Sequence, residues 1–310
     1  MTRVSILIPT RNRPEKIVKL LESVEKSSVK PFQIVVVASG QDIEPSLLRF
    51  KKNLNISYFH TVIIGQVAQK KIGINLLHKD SQWCLFLDDD LLVGEHAIES
   101  ALNEANSRVQ ESVIGIGYSL PPTTRILNAG VIALGIGRVL QIASGEPGTV
   151  LKSGHAVSYS QAKTVIETQW LNGASMWHVS VLETYGLGLP STPYAACEDL
   201  IFSYPLGKRG KMIYCPEAHL SFQDGELSNF DSATVFEAAT FWRYYFVKNN
   251  PELSIWRFQI SQIGRIIFAL LNTENGKRKL GMKLIKAQAQ MYMSILRRES
   301  PVDLLNRLAP

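Results

Sequence analysis

Three consecutive carboxylates, Asp88, Asp89 and Asp90, stand at the end of the apolar run Trp83-Cys84-Leu85-Phe86-Leu87. A short run of this composition reads as a buried strand. Three negative charges where that strand emerges cost solvation and mutual repulsion unless positive charge meets them. A divalent cation is the obvious partner, because hard oxygen ligands suit Mg2+ or Mn2+ and leave positions free for phosphate oxygens. The competing reading is a solvated acidic turn that caps the next helix, since Asp is favoured at such starts. A second acidic pair, Glu198-Asp199, reads on its own as the first turn of a helix, where the dipole favours negative charge.

The elements that would position these groups alternate along the first half of the chain. Val4 to Ile8 is a β-branched and aliphatic run closed by Pro9, and Pro14 suits the first turn of a helix in which Ile17, Leu20, Leu21 and Val24 recur at helical spacing. Gln33 to Val37 reads as a second buried strand ended by Ser39-Gly40, Ile56 to Phe59 as a third, and Val67 to Leu77 as a helix. Such alternation predicts an α/β fold with a mostly parallel sheet flanked by helices. Ligands of such sheets collect beyond the carboxyl ends of the strands, where Arg11, Ser39 and the aspartate triplet fall. From 113 to 168 the chain is punctuated by glycines, which predicts hairpins and loops. Gly115-Ile116-Gly117 lacks the third glycine and the helix of a dinucleotide fingerprint, which excludes a Rossmann dehydrogenase. From about 231 the pattern is helical, with helices expected around Phe236 to Phe246, over Ile255 to Leu271 and over Lys277 to Arg298. The expected division is therefore 1–225 for the α/β domain and 226–310 for a helical region.

A chain of 310 residues with 45% hydrophobic and 19% charged residues has ample core and is not disordered as a whole. Its net charge of +6 favours anionic partners. The last helical stretch carries seven Lys or Arg and no acid, which suits either an anionic membrane surface or a solvated outer face. No basic run is interleaved with stacking aromatics, so nucleic acid is not an expected partner. The three cysteines have no metal-ligand spacing and read as small buried hydrophobes of a reducing compartment. No apolar stretch approaches the ~20 residues needed to span a bilayer, and Met1 to Ile6 has no signal-peptide architecture. A cytoplasmic location is expected, with peripheral attachment at the inner face of the membrane as its extension.

The segment Val4 to Arg13 resembles the opening of family 2 nucleotide-sugar glycosyltransferases with the GT-A fold. The likeness continues through Gln66 to Gly73, similar to their nucleotide-contacting helix, and through Phe86 to Asp90, similar to their DxD motif. It resumes at Trp170 to Met176, at Glu198-Asp199-Leu200 and at Gly210 to Ala218. The resemblance implies that Pro9, Thr10, Arg11, Ser39, Gln66 and Lys70 contact the nucleotide sugar, that Asp88 and Asp89 face the nucleoside, and that Asp90 binds Mn2+ or Mg2+ bridging the diphosphate. Trp170, Asn172, Gly173, Ala174 and Glu198 would line the sugar and acceptor side, with Asp199 as general base. The implied activity is inverting transfer, of hexosyltransferase type, from a UDP-, GDP- or dTDP-linked sugar to a glycan or lipid-linked acceptor, in surface or exopolysaccharide biosynthesis. Three departures stand out: Ser39 where the family usually has a base-pairing Asp, Lys70-Lys71 where it often has Arg-Asn, and Phe222 where a metal-facing His is often found. They leave a nucleotide-sugar-binding scaffold subunit as the rival from another class. A metal-dependent nucleotidyltransferase is a further rival, but Pro9-Thr10-Arg11-Asn12 is not the Gly-rich loop it would carry.

Overall fold

The computed structural model describes residues 2–121, 139–140, 145–192, 195–223, 233–271, 277–300 and 302–303. The chain forms two compact units that interleave along the sequence. The first takes Met1–Pro122, Tyr159–Ser191 and Phe202–Leu227, and the second Thr123–Ser158, Thr192–Ile201 and Ser228–Pro310.

The first unit is a mixed α/β layer structure. Its strands are β1 (Val4–Arg11), β2 (Gln33–Ser39), β3 (Ile56–Thr61), β4 (Trp83–Phe86), β5 (Leu91–Val93), β6 (Val113–Ser119), β7 (Ile166–Thr168), β8 (Ser175–His178) and β9 (Lys211–Phe222). They order as β3-β2-β1-β4-β8-β6-β9-β5, with β7 also on β9. The block β3-β2-β1-β4 is wholly parallel, β8 runs antiparallel to both neighbours, and β6 returns parallel to β9. Four parallel strands place the carboxyl ends of β1, β2 and β4 at one edge, where a parallel sheet keeps its ligands.

Helix α1 (Pro14–Lys26) follows the expected pattern. Pro14 opens it, and Ile17, Leu20, Leu21 and Val24 are its buried stripe. Each such side chain contributes roughly 1.5–3 kcal/mol by leaving water. Beyond β2 lies the short α2 (Glu44–Leu47), and α3 (Gln66–Ile74) follows β3. Helix α3 lies directly on β1 because position 73 is glycine: a Cβ there would stand 2.5 Å from Leu7 Cδ1. That close approach carries Gln66 and Lys70 toward the ends of the parallel strands. The helices α4 (Ala97–Ser107) and α5 (Val179–Tyr185) complete this unit's described layers, and α6 (Glu198–Leu206) starts in the second unit and ends in the first.

Two details differ from the sequence pattern. Strand β1 does not close at Pro9 but continues to Arg11, with Pro9 in register with Val37 of β2. In β1 alternate residues face alternate neighbours, and Leu7 gives its carbonyl to Leu87 on the β4 side. Pro9 faces that same side, where β4 has already ended at Phe86, so its missing N–H breaks no ladder. The glycines Gly115 and Gly117 are not a turn but lie inside β6. A Cβ at either would press on Leu171, at 2.8 and 2.9 Å, so they make room for the Trp170–Ala174 segment.

The described helices of the second unit are α7 (Ala233–Lys248), α8 (Ile255–Leu271) and α9 (Lys277–Leu296). They pack on one another, and Gln259 of α8 takes hydrogen bonds from Gln288 and Tyr292 of α9 at 2.5 and 2.7 Å. Much of the glycine-rich stretch 113–168, including 122–138, and the side chain of Phe236 lie outside the described residues. Among the described residues no helix is long and apolar enough to cross a membrane.

Candidate active site

The acidic triplet lies beyond β4, and its members have different surroundings. Asp89 is buried, 5% exposed. Thr10 donates its hydroxyl to Asp89 Oδ2 at 2.7 Å, and Arg13 donates Nη1 to Oδ1 at 2.9 Å. Burial pushes the Asp89 carboxyl up, while Thr10 and Arg13 hold it down. Both its oxygens are engaged, so Asp89 anchors the strand end to the β1–α1 turn. Asp88 Oδ1 accepts Gln66 Nε2 at 2.6 Å, and a Cβ at Gly173 would stand 3.8 Å from Asp88 Oδ2. Asp90 is partly exposed, and Arg13 Nη1 is 3.9 Å from its Oδ2. The backbone of the triplet is fixed from β9's end: Gln223 Nε2 donates to the carbonyls of Asp89 and Leu91, at 2.9 and 3.2 Å, and Gln223 N–H to Asp90 O at 3.0 Å.

The neighbouring strand ends are tied together by Gln69, which is buried in α3. Its Nε2 donates to the carbonyls of Thr10 and Val37 at 2.7 and 2.8 Å, bridging β1 and β2. Lys70 is also buried, with Nζ 5.5 Å from the centre of the Phe86 ring. Lys71 points elsewhere, donating to Leu189 O at 2.6 Å and Ser191 Oγ at 3.2 Å. Ser39, at the end of β2, is fully buried and its Oγ has no partner. A buried hydroxyl without a partner loses its hydration without compensation. Nearby, Tyr58 donates to Asp42 Oδ1 at 2.6 Å, and burial followed by Asp42 pushes the phenol up to about 12.

On β6's side, Asn172 is held at two points. Its N–H donates to Tyr159 Oη at 2.6 Å and its Nδ2 to Tyr118 O at 3.1 Å, while its buried Oδ1 has no partner. Trp170 packs at a tilt against Tyr159 with ring centres 5.1 Å apart, and Ala174 is buried just before β8. The first unit therefore brings together Thr10, Gln66, Asp88, Asp89, Asp90 and Gly173, with Pro9 buried in β1 behind them. Arg11 is exposed, and it is Arg13 that reaches the carboxylates. Arg13, Gln69 and Gln223 were not singled out by sequence; only the nearness of Arg13 to the Pro9-Thr10-Arg11 segment pointed toward it.

Among the described residues no three or more His, Cys, Asp or Glu side chains converge as a metal cluster. The donor set that Asp88 and Asp90 offer is smaller, and Mg2+ or Mn2+ bound through one or two carboxylates plus substrate phosphates needs no more. His219 is exposed on β9 and Phe222 packs against the core, so neither completes a metal site.

In the second unit, Glu198 and Asp199 open α6, and Asp199 Oδ1 accepts the N–H of Leu200 at 2.8 Å. Cys197, just before them, adopts φ 59°.

The glycosyl transferase family 2 model matches residues 5–134. An uncharacterized glycosyltransferase of Rickettsia felis is 33% identical over 103 residues, 33% of this chain and 17% of that relative. One of Rickettsia bellii is 29% identical over 102 residues, 14% of its own length. The matches thus span well under a fifth of these relatives. Among solved structures, the mannosyltransferase PcManGT of Pyrobaculum calidifontis, with GDP-Man and Mn2+, superposes with a TM-score of 0.55 at 12% identity, covering 98% of this chain and 85% of that one. S. aureus TarS with UDP gives 0.54 at 13% identity, covering 99% and 89%. GalNAc-T7 with UDP, GalNAc and Mn2+ gives 0.55 at 14%, covering 85% and 54%. The fold is GT-A. Over the segment 5–134 the chain is thus similar to glycosyl transferase family 2.

Proposed function

We propose that the protein is an inverting glycosyltransferase that moves a hexosyl group from a nucleotide-diphospho sugar to an acceptor hydroxyl. The observation that carries this reading is the division of labour in the triplet: Thr10 and Arg13 occupy both oxygens of Asp89, whereas Asp90 is partly exposed and meets Arg13 only at 3.9 Å, which suits it to a cation and its phosphates. The partnerless Ser39 Oγ and Asn172 Oδ1 supply polar groups for the base and for a sugar hydroxyl. A bound Mn2+ or Mg2+ would be held by Asp90 with Asp88 and would neutralise charge on the departing diphosphate. Lys70 adds a buried positive charge on the same side. Asp199 takes the proton from the acceptor hydroxyl as its oxygen attacks the anomeric carbon, with Glu198 and Trp170 shaping the acceptor side. Neighbours of the same fold were solved with GDP-Man or UDP, so a GDP- or UDP-linked donor leads the panel. The acceptor is read as a glycan or lipid-linked glycan of a surface polysaccharide, met by a cytoplasmic protein that rests on the membrane.

The test is Asp90→Asn. The fold persists and Mn2+-dependent turnover of a nucleotide-sugar panel is lost, because an amide supplies no negative charge to the cation. Near-normal, EDTA-sensitive turnover in that variant refutes the assignment.

A further inference from the structure

The aspartate triplet is a turn whose shape is set from outside it. Leu91 N–H donates to Asp88 O at 3.3 Å, so Asp89 and Asp90 are the two central residues of a four-residue turn. That closing bond is long for an N–H···O pair. The three carbonyls that follow Asp88 all go to one residue. Gln223 N–H donates to Asp90 O at 3.0 Å, and Gln223 Nε2 donates to Asp89 O at 2.9 Å and to Leu91 O at 3.2 Å. The same Nε2 reaches Lys16 O, near the start of α1, at 2.9 Å. Reversed, this amide would set its oxygen against three carbonyl oxygens, so the network fixes Nε2 as the end that faces the turn.

Strand β9 brings Gln223 there through its pairing with β5. Val93 lies opposite Leu220, Leu92 opposite Ser221 and Leu91 opposite Phe222, and the bond from Gln223 to Asp90 is the next step of that antiparallel ladder. Phe222 itself packs against the core.

The two common turn types differ by a flip of the central peptide, here the one joining Asp89 to Asp90, and the flipped form needs a positive φ at its third residue. Asp90 is not among the described non-glycine residues with positive φ. A flip would take Asp89 O away from Gln223 and send the Asp90 side chain in another direction. Asp89 is held by its own carboxylate, through Thr10 and Arg13. Asp90, which meets Arg13 at 3.9 Å, is held through its backbone.

We infer that Gln223 is a positioning residue for the cation site: its amide locks the Asp89–Asp90 peptide and thereby aims the Asp90 carboxylate. The inference rests on the reading of Asp90 as the metal-binding carboxylate, and it names the residue that makes that carboxylate effective. Groups that orient a metal's ligands are worth roughly 10–100-fold in metal affinity.

The experiment follows Mn2+ binding to the full chain in the presence of UDP by its EPR signal, and UDP binding in EDTA by calorimetry. Gln223→Met keeps the reach of the side chain and removes its donor. It weakens Mn2+ binding by roughly 10–100-fold, while UDP binding in EDTA stays within about twofold of the parent. Gln223→Asn, whose amide falls one carbon short of the carbonyls, weakens Mn2+ in the same direction and carries the test if the Met variant does not fold. Gln33→Met controls for a general loosening of the sheet. Gln33 is buried at the start of β2, where its Nε2 donates to Ser57 Oγ and Leu76 O at 3.0 and 3.1 Å. That variant lowers the urea midpoint and leaves Mn2+ affinity within about twofold. Parent-like Mn2+ binding in the Gln223 variants, or equal weakening in Gln33→Met, overturns the inference. A matching loss of UDP affinity in EDTA also overturns it, by making Gln223 a general support of the nucleotide site. Failure of the Asp90 reading appears separately, as a parent that binds no Mn2+ or an Asp90→Asn variant that binds it as the parent does.

Discussion

Arg13→Met removes a charged donor that faces the buried carboxylate of Asp89, and its cost follows from the geometry. A hydrogen bond from a charged group to a carboxylate is worth about 1.5–3 kcal/mol. The Arg13 side chain is 47% exposed, so solvent screening pulls this toward about 1–2 kcal/mol. The second contact, at 3.9 Å from Asp90, adds little. A loss of that size lowers the melting temperature by roughly 2–5 °C. Its pH dependence is the sharper feature. Burial already raises the Asp89 pKa, and Arg13 is among the groups holding it down, so the variant raises it further. A carboxyl whose folded pKa lies above its unfolded value destabilises the fold while ionised and ceases to do so as the pH falls through the folded pKa. The deficit of Arg13→Met is therefore greatest near neutrality and closes on acidification. Urea midpoints of parent and variant, measured in EDTA from about pH 7.5 to about pH 4.5, test this. Adding Asp89→Asn to the variant should recover most of the loss, since an amide needs no cation. A deficit constant across that range, or no recovery in the double variant, refutes the account of Asp89.

Much of this fold could be read from the chain because its segments are locally consistent. The stripe Ile17, Leu20, Leu21 and Val24 is buried as its spacing requires, and α8 spans Ile255–Leu271 as expected. The carboxyl-end placement of Ser39 and the triplet followed from strand–helix alternation alone. What escaped is non-local. Nothing in Pro9 announces that β4 stops at Phe86, so a proline that should end a strand sits inside one. The choice between Arg11 and Arg13 depends on the β1–α1 turn, in which Asn12 takes φ 56° and accepts Gln41 N–H at 2.7 Å, and no periodicity encodes it.

Asp199→Asn should keep donor affinity and lose transfer by a factor on the order of 10²–10⁴, the yield of general base catalysis; weakened UDP binding with a mild rate effect would make Asp199 a binding residue. Ser39→Ala should leave the melting point unchanged or higher, because its Oγ has no partner to lose, while weakening nucleotide binding by about fivefold or more. Equal UDP affinity in calorimetry would remove Ser39 from base recognition. The last prediction concerns the membrane. Trp256, Ile260, Ile263 and Ile267 follow one another along one stripe of α8 and are 80, 39, 52 and 44% exposed. On α9, Met282 and Leu296 are 62 and 76% exposed. The segment from 255 to 298 holds Glu274 as its lone acid against nine Lys or Arg, so a facing surface gains most by being both apolar and anionic. A second copy of the chain would bring like charges together. The protein should sediment with phosphatidylserine vesicles at low salt, release at high salt as screening shortens the Debye length, and bind far less tightly as Trp256→Glu. Binding that ignores both salt and Trp256 would show that the stripe serves another purpose, and concentration-dependent dimerisation abolished by Trp256→Glu would name it.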